Sequence, residues 1–326
     1  MPRSVLVCGG AGYIGSHMAW LLVENGYDVT VFDNLSTGHR EAVQWCRFIQ
    51  GDLCNPLDVE RVFAETAFDT VMHFSGMIAV GESVVAPEHY YRNNVSGTLN
   101  LLRAMFKAEV RSFVFSSTAA VYGNPVSAMI DESHPVQPVN PYGWTKRIAE
   151  QALTDYFQAY GLQSVSFRYF NAAGAHPEGL LGEAHEPETH LIPNILGSIL
   201  SRGDDFRVFG NDYATPDGTC IRDYVHVLDL CEAHLRAISW LDGNPGAHAF
   251  NLGNGTGFST LEVIEAVEAV TGREVPFSIA PRRAGDAVTL VANSSLAKDK
   301  LGWRPAYPEI EAIIETAWRW HRSPRF

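Results

Sequence analysis

Near the N-terminus the chain reads Ser4-Val5-Leu6-Val7-Cys8-Gly9-Gly10-Ala11-Gly12-Tyr13-Ile14-Gly15. The first five residues form a short apolar run that is typical of a buried strand, and a helical pattern follows over residues 14–24. Gly9, Gly12 and Gly15 therefore lie in a turn between a strand and a helix. Glycines there permit a tight turn and let the backbone approach a pyrophosphate, which the helix N-terminus would bind through its N–H groups.

The same alternation of apolar runs and helical patterns fills the first half of the chain. Further strands are predicted at 28–32, 47–50, 70–74, 112–116 and 164–168, and helices at 94–108 and 142–160. Nearly continuous apolar strands separated by helices indicate a parallel sheet that is covered on both faces. Right-handed crossovers then give an α/β, Rossmann-type doubly wound fold.

The pattern changes after about residue 171. Residues 175–189 are rich in Gly, Pro, His and Glu, which indicates a loop, and helices are predicted at 193–201, 227–241 and 260–271. Short strands are expected between these helices. We therefore predict a cofactor-binding domain over residues 1–172 and a smaller α/β substrate domain over residues 173–326.

Composition limits the possible functions. Hydrophobic residues make up 46% of the 326 residues and charged residues 19%, as in a globular enzyme, and the formal net charge is −13. A nucleic-acid binder would normally carry a basic excess, so no nucleic-acid partner is expected. No stretch is long and apolar enough to span a bilayer, so no membrane partner is expected. Five cysteines without paired or metal-like spacing fit reduced thiols, and we expect a cytoplasmic location.

Asp33 stands at the end of the second predicted strand, 18 residues after Gly15. A carboxylate there accepts hydrogen bonds from both hydroxyls of an adenosine ribose and repels a 2′-phosphate, so NAD is favoured over NADP. The alternative is that Asp33 caps the turn that follows it. Asp52 comes after the third strand, where it either lies near the adenine or caps a helix.

Tyr142 and Lys146 are four residues apart in a predicted helix, so they lie on one face. An ammonium beside a phenol favours the phenolate, and we expect Lys146 to lower the pKa of Tyr142. Such a tyrosine can remove a hydroxyl proton while a hydride leaves the same carbon. Ser116-Ser117-Thr118 ends a strand, and ligands of open α/β sheets bind at the carboxyl ends of the strands.

Together these motifs resemble the extended short-chain dehydrogenase/reductase family, and within it the nucleotide-sugar 4-epimerases. The resemblance runs through nearly the whole chain. It rests on matching stretches at 9–16, 73–76, 80–83, 115–123, 142–146, 168–171, 209–213, 217–219 and 221–226. It implies NAD-dependent interconversion of UDP-glucose and UDP-galactose by transient oxidation at C4. It also implies that domain 1–172 binds NAD, that domain 173–326 binds the UDP-sugar, and that the chain forms a homodimer.

The resemblance also implies the role of each site residue. Tyr142 would be the acid/base, Lys146 would bind the nicotinamide ribose and tune Tyr142, and Thr118 would relay the sugar O4 proton. Residues implied at the cofactor are Gly9, Gly12, Tyr13, Ile14, Gly15, Asp33, Asn34, Asp52, Leu53, Phe74, Gly76, Asn93, Ser116, Tyr142, Lys146, Tyr169 and Phe170. Residues implied at the UDP-hexose are Thr118, Tyr142, Asn171, Leu191, Phe209, Arg222, Arg283, Asp286 and Leu290.

Two positions depart from the family pattern. Ile78 stands where these epimerases commonly have a lysine that reaches the cofactor, so tight retention of NAD is not expected. Leu290 stands at the gatekeeper position, where a bulky Tyr restricts the pocket to plain hexoses and small residues admit N-acetylated sugars. Leucine is intermediate in size, which leaves the breadth of substrates open.

Three other functions were weighed. A sugar 4,6-dehydratase needs an Asp-Glu pair where this chain has Ala119-Ala120, so elimination is not expected. A 4-epimerase of a related sugar stays open, with UDP-GlcNAc/GalNAc, UDP-xylose/arabinose or UDP-glucuronate as the substrate. A non-catalytic NAD-binding protein has no need for Thr118, Tyr142 and Lys146. We expect any homodimer to form through helices near residues 95–107 and 148–160.

Overall fold

The computed structural model describes residues 2–201, 206–283 and 287–326. The strands are β1 Ser4–Cys8, β2 Asp28–Asp33, β3 Arg47–Gln50, β4 Thr70–His73, β5 Ser112–Thr118, β6 Gln163–Tyr169, β7 Asn171–Ala173, β8 Phe206–Phe209, β9 Ile221–His226, β10 Ala247–Leu252, β11 Gly257–Ser259, β12 Phe277–Ala280 and β13 Thr289–Leu290. The strands predicted in the first half therefore lie within one or two residues of the observed ones.

The helices include all those predicted, each within three residues of its predicted bounds, together with others that were not predicted. They are α1 Tyr13–Glu24, α2 Pro56–Glu65, α3 Val80–Val85, α4 Pro87–Tyr90, α5 Gly97–Lys107, α6 Pro141–Tyr160, α7 Leu191–Ser201, α8 Val227–Leu241, α9 Thr260–Thr271, α10 Ser295–Lys300 and α11 Ile310–Arg322. A π-helical turn, Tyr91–Ser96, joins α4 to α5. No helix in the described part of the chain is long and apolar enough to cross a membrane.

The chain divides into two compact units, and each is discontinuous in sequence. The first unit comprises Met1–Gly123, Pro135–Arg168 and Cys231–Phe250, and the second comprises Asn124–His134, Tyr169–Leu230 and Asn251–Phe326. This division differs from the predicted boundary at residue 172, because 124–134 belong to the second unit and 231–250 to the first. These two segments join a unit through contacts with residues far away in the sequence, and no local sequence pattern indicates such contacts.

The first unit contains a seven-stranded sheet of order β10-β6-β5-β4-β1-β2-β3. Strands β3, β2, β1, β4 and β5 pair in parallel, as predicted for a doubly wound fold. Leu6 and Cys8 point into a core formed with apolar residues of α2, α5 and α6. Val5 and Val7 alternate to the opposite face and are also buried. Burial on both faces explains why β1 reads as a continuous apolar run, and the predicted Rossmann-type fold is confirmed.

The second unit has a mixed sheet of its own around β9. Strands β7 and β13 pair with β9 in parallel, and β11 pairs with it antiparallel. A separate parallel pair joins β8 to β12. Helices α7, α9 and α11 supply most of the apolar core that covers these strands. The unit is therefore a smaller α/β unit, of the kind expected for the substrate domain.

Candidate active site

The turn after β1 is so tight that it excludes side chains at two glycines. Gly9 has φ +77°, and a Cβ there would lie 2.4 Å from the amide nitrogen of Ser75. A Cβ on Gly15 would lie 2.0 Å from the Gly9 carbonyl oxygen. Gly12 immediately precedes α1, and because glycine has no side chain to cap the helix, the first N–H groups of α1 suit an anion. The predicted strand–turn–helix geometry is present.

Asp33 ties the end of β2 to this turn. Its carboxylate accepts hydrogen bonds from the Ala11 amide, at 2.9 Å, and from the Leu35 amide, at 2.8 Å. Burial raises the pKa of Asp33, and the backbone donors around it oppose that rise. The bond to Leu35 is the turn cap considered above, whereas the bond to Ala11 links Asp33 to the glycine turn. Its role at an adenosine ribose, like that of Asn34, stays a prediction.

Helix α6 begins and ends with side chains and backbone suited to those positions. The Asn140 side chain accepts from the Gly143 amide at 2.8 Å, Pro141 occupies the first helical position, and Gly161 ends the helix with φ +72°. Tyr142 and Lys146 lie one turn apart near its start, and both are buried. The predicted shared face is therefore the face that packs into the first unit.

The hydroxyl of Tyr142 is hydrogen-bonded to Thr118, the last residue of β5. The Thr118 hydroxyl also accepts from the Ala120 amide at 3.1 Å, which fixes its position. Burial raises the pKa of Tyr142, and the hydrogen bond with Thr118 opposes that rise. The expected lowering of this pKa by Lys146 is therefore wrong for the structure, because desolvation of the buried phenol outweighs the favourable contacts.

Lys146 lies beside the same strand end. Its ammonium donates to the Ser116 carbonyl at 2.8 Å, and a Cβ added to Gly76 would lie 3.3 Å from Nζ. Burial lowers the pKa of Lys146 to about 8, and the charge of Glu150 opposes this. The structure thus brings together Thr118, Tyr142 and Lys146 with two predicted cofactor residues, Ser116 and Gly76.

A buried ion pair behind these residues was missed in the sequence. Arg168 donates to Glu150 through Nε at 2.9 Å and Nη2 at 2.7 Å, and its Nη1 donates to the Tyr122 hydroxyl at 3.0 Å. Ser117 donates to the same carboxylate at 2.6 Å. Glu150 is one helical turn after Lys146, which is the signal that could have identified it. The pair joins α6 to the strands that carry Ser117 and Arg168.

Asn94 was missed as well, although its neighbour Asn93 was predicted. Asn94 is buried, and its amide group bonds to both backbone groups of Met77 and to the Thr145 hydroxyl. Asn93 donates to the Asn94 side chain at 3.0 Å. Both residues lie in the π-helical turn, a form that often occurs at functional sites. Asn94 thereby holds the segment after Gly76 against α6.

The other predicted cofactor residues of the first unit lie at the carboxyl ends of its strands or next to them. Asp52 follows β3 and accepts from the Cys54 amide at 2.8 Å, whereas Asn55 is the residue that caps α2. Leu53 is buried against α5. Phe74 directly follows β4. Helix capping by Asp52 is therefore wrong, and the cofactor role of this set stays a prediction.

In the second unit, two predicted substrate residues lie on paired strands. Arg222 of the central strand β9 is the register partner of Leu290 on the neighbouring strand β13. The Arg222 guanidinium donates to the Ile221 carbonyl at 2.8 Å. Asn171 lies on β7, which also pairs with β9, and its side chain donates to the Asp223 carbonyl at 3.2 Å. One sheet thus carries three of the predicted residues.

Two further predicted substrate residues touch each other. The guanidinium carbon of Arg283 lies 3.9 Å from the ring centroid of Phe209, at the end of β8. Leu191 is the first residue of α7 and is partly buried against the core of the second unit. Tyr169 is the last residue of β6, and Phe170 lies between β6 and β7. Asp286 lies outside the described residues.

The model of the NAD dependent epimerase/dehydratase family matches residues 5–253. The chain belongs to this family. It is 51% identical over 319 residues to the UDP-glucose 4-epimerase of Rhizobium meliloti strain 1021. The matched residues make up 98% of this chain and 97% of that protein.

Solved structures of this epimerase/dehydratase family agree with the assignment. The UDP-glucose 4-epimerase of Brucella ovis in complex with NAD has a TM-score of 0.94, 48% identity and 97% coverage of each chain. The enzyme of Bifidobacterium longum in complex with NAD⁺ and UDP has a TM-score of 0.94, 39% identity and 99% coverage of each chain. The likeness therefore spans both compact units of this family member.

Replacing Gly15 by Ala is expected to weaken NAD binding at least about tenfold, or about 1.4 kcal/mol. The added Cβ would lie 2.0 Å from a backbone oxygen, so the glycine turn must move away from the start of α1. Calorimetric titration with NAD measures the change. Gly243→Ala is the matched control, because a Cβ there meets nothing within 4 Å. Equal NAD affinities for the two variants would contradict the prediction that the glycine turn binds NAD.

Proposed function

We propose that this chain is a UDP-glucose 4-epimerase that interconverts UDP-glucose and UDP-galactose with NAD as its cofactor. One observation carries the proposal. The chain belongs to an NAD-dependent family, and its buried Tyr142 is hydrogen-bonded to Thr118. Lys146, which is also buried, lies one helical turn after Tyr142. This is a general acid/base with a hydroxyl relay and a cation beside it, placed where parallel sheets bind their ligands.

The residues of the first unit fit NAD. Backbone atoms lie so close to Gly9 and Gly15 that any side chain there would collide with them. The start of α1 offers N–H groups that can bind a pyrophosphate. Asp33 would accept the ribose hydroxyls, and Asp52 would lie near the adenine. When bound, NAD supplies a reversible hydride acceptor, so the sugar carbon can be oxidised and reduced again without net oxidation.

The protein's own groups handle the proton. Thr118 would hydrogen-bond to the sugar O4 and relay its proton to Tyr142, which returns it after the 4-keto sugar has turned over. Lys146 would hold the nicotinamide ribose through its ammonium. Tyr142 and Lys146 are buried, which excludes water and strengthens the electrostatic interactions around them. Asn93, Ser116 and Gly76 would line the nicotinamide side of the site.

The second unit would hold the UDP moiety. The chain is acidic overall, with a net charge of −13, so a diphosphate needs local cations with forked donors. Arg222 and Arg283 are suited to this role. The uracil and ribose would be held by Phe209, Leu191 and Asn171, with Asp286. Leu290 would border the sugar, where its intermediate size bears on acceptance of an N-acetyl group.

We further propose that the chain works in the cytoplasm as a homodimer. All five cysteines are free, as expected for a reducing compartment. Phe106 of α5 and Tyr160 of α6 are both about half exposed, and their rings lie 4.6 Å apart. Two exposed aromatic residues on neighbouring helices favour association through this face. It coincides with the helices named above for dimerisation.

The proposed function is tested by incubating purified protein with UDP-galactose and UDP-GalNAc in parallel, with and without added NAD, and following the sugar by NMR. We expect UDP-glucose to form, and added NAD to increase the rate because Ile78 replaces the lysine that reaches the cofactor. Conversion of UDP-GalNAc would extend the substrate range past Leu290. No turnover of either sugar by NAD-bound protein would indicate a non-catalytic binder, and a 4-keto-6-deoxy product would indicate a dehydratase.

A further inference from the structure

Four side chains of metal-ligating type converge on the loop between β7 and α7. Glu183, His185, Glu188 and His190, here called the His–Glu cluster, each offer one ligand atom, and these atoms all lie within 4.8 Å of one another. The spacing is Glu-x-His-x2-Glu-x-His. Because none of the four has a role in binding NAD or the UDP-sugar above, the cluster needs an explanation of its own.

The distances within the cluster suit a small cation. His185 Nδ1 lies 3.0 Å from Glu183 Oε1 and 4.0 Å from Glu188 Oε1. His190 Nδ1 lies 3.6 Å from Glu188 Oε1 and is hydrogen-bonded to Glu183 Oε1. Ligand atoms around a tetrahedral Zn²⁺ with bonds of about 2.0–2.1 Å are roughly 3.3 Å apart. The distances in the His–Glu cluster lie on both sides of that value, so small side-chain rotations would complete a tetrahedron.

Packing holds the cluster in place. The carboxylate of Glu183 is only 3% exposed on its side chain, and its backbone carbonyl accepts from the Trp320 indole at 2.9 Å. Gly182 lies directly against the same indole ring. Glu188 Oε1 also accepts from the Thr189 and His190 amides, at 2.7 and 2.8 Å, which orients the carboxylate. Ligands fixed by a second set of contacts are typical of metal sites.

Burial and chemistry together select the ion. A buried carboxylate is costly unless it is paired with positive charge or coordinates a metal. Two imidazoles and two carboxylates form a mixed nitrogen and oxygen set, which favours Zn²⁺ over Mg²⁺ or Ca²⁺. Four protein ligands fill a tetrahedral shell and leave no open position for substrate, as in structural zinc sites. We propose that Glu183, His185, Glu188 and His190 bind one structural Zn²⁺.

The position of the cluster gives the ion a defined task. His190 directly precedes Leu191, the first residue of α7, and Glu183 is anchored on α11 through Trp320. A zinc ion at the cluster would therefore cross-link the loop to the start of α7 and fix the backbone at Leu191. Metal binding that is available only to the folded loop stabilises the folded state.

The experiment uses the full chain, dialysed against a chelator and then titrated with ZnCl₂, with zinc measured by elemental analysis after removal of free metal. We expect about one Zn²⁺ per chain. In His190→Ala and Glu183→Gln the dissociation constant should rise at least about tenfold, because one of four ligands is lost. His89→Ala, an exposed histidine of α4, is the matched control and should bind zinc like the unaltered chain.

Two additional measurements keep the result independent of folding and of turnover. Co²⁺ added to the unaltered chain should give the intense visible absorption of a four-coordinate ion. Zn²⁺ should raise the Tm of the unaltered chain by several degrees and leave the Tm of His190→Ala nearly unchanged. Zinc content that is negligible in the unaltered chain, or equal in His190→Ala and His89→Ala, would overturn the proposal in favour of a metal-free hydrogen-bonded cluster. Because the stoichiometry is read without substrate, the result does not depend on whether the chain epimerises UDP-hexoses.

Discussion

Replacing Tyr142 by Phe should lower kcat for the epimerisation of UDP-galactose by about 10³-fold, within the 10²- to 10⁴-fold range of general acid/base groups. The phenyl ring keeps the packing of a buried side chain and removes only the hydroxyl that is hydrogen-bonded to Thr118. The rate is measured by NMR of the sugar at saturating NAD. NAD affinity and Tm should stay close to those of the unaltered chain.

Tyr156→Phe is the matched control for this variant, because it removes a phenolic hydroxyl from the same helix. Its kcat should remain within about twofold, since no acid/base role is assigned to it. Near-normal epimerisation by Tyr142→Phe would show that another group moves the O4 proton. Such a result would remove the central support for the proposed function, whatever the glycine turn binds.

Replacing Thr118 by Val is a second test of proton transfer by Tyr142. The hydrogen bond from Thr118 lowers the pKa of Tyr142 against the effect of burial. Its loss should therefore raise that pKa further, so that the rise of kcat with pH moves to more alkaline values. The rate loss should be large at neutral pH and smaller at high pH. A uniform loss across the pH range would point to a role in positioning the sugar alone.

Most of the fold and the centre of the site could be predicted because their signals are local. Gly9, Gly12 and Gly15 reveal a turn by their spacing, and Tyr142 and Lys146 share a helical face by theirs. The direction of the Tyr142 pKa could not be predicted, because it depends on how much of the phenol the fold buries. Desolvation is a property of tertiary packing, and the sequence shows only the favourable partner.

The Arg168–Glu150 pair and the His–Glu cluster could not be predicted for a different reason. Arg168 lies 18 positions after Glu150, so nothing local indicates that they meet in the core as a bidentate pair. In the His–Glu cluster, the sequence showed only that the loop was rich in Gly, Pro, His and Glu. The convergence of Glu183 with His190 depends on how the loop is folded and packed, for which no periodic pattern exists. Non-local polar contacts are thus the part of this site that sequence patterns leave out.

Glu150 also connects the ion pair to the chemistry. Its charge raises the pKa of Lys146 against the effect of burial, and the net result is a pKa of about 8. A protonated Lys146 would hold the nicotinamide ribose through its ammonium, so activity that depends on this charge is lost as pH rises through the pKa of Lys146. Removing the charge of Glu150 would lower that pKa further and move this loss to lower pH.

Replacing Arg168 by Met should lower the free energy of unfolding by about 3 kcal/mol, the lower end of the cost of removing one partner of a buried ion pair. Both side chains are at most 7% exposed, and the variant leaves the Glu150 carboxylate with the Ser117 hydroxyl and, 3.8 Å away, the partly exposed Arg147 as its remaining partners. Denaturant unfolding at a fixed NAD concentration measures the loss. Arg47→Met is the matched control, because the Arg47–Glu65 pair has an equally short contact of 2.6 Å but is about half exposed.

The control should lose less than about 1 kcal/mol, as exposed pairs do. The double variant Glu150→Leu/Arg168→Met should recover much of the loss of Arg168→Met, since it removes the unpaired carboxylate together with its partner. With the single variant Glu150→Leu measured as well, the double-mutant cycle gives the coupling between the two charges. Equal losses for Arg168→Met and Arg47→Met would show that burial adds nothing to this pair. In that case the ion pair would not be needed to hold α6 against β6, and the position of Lys146 would not depend on it.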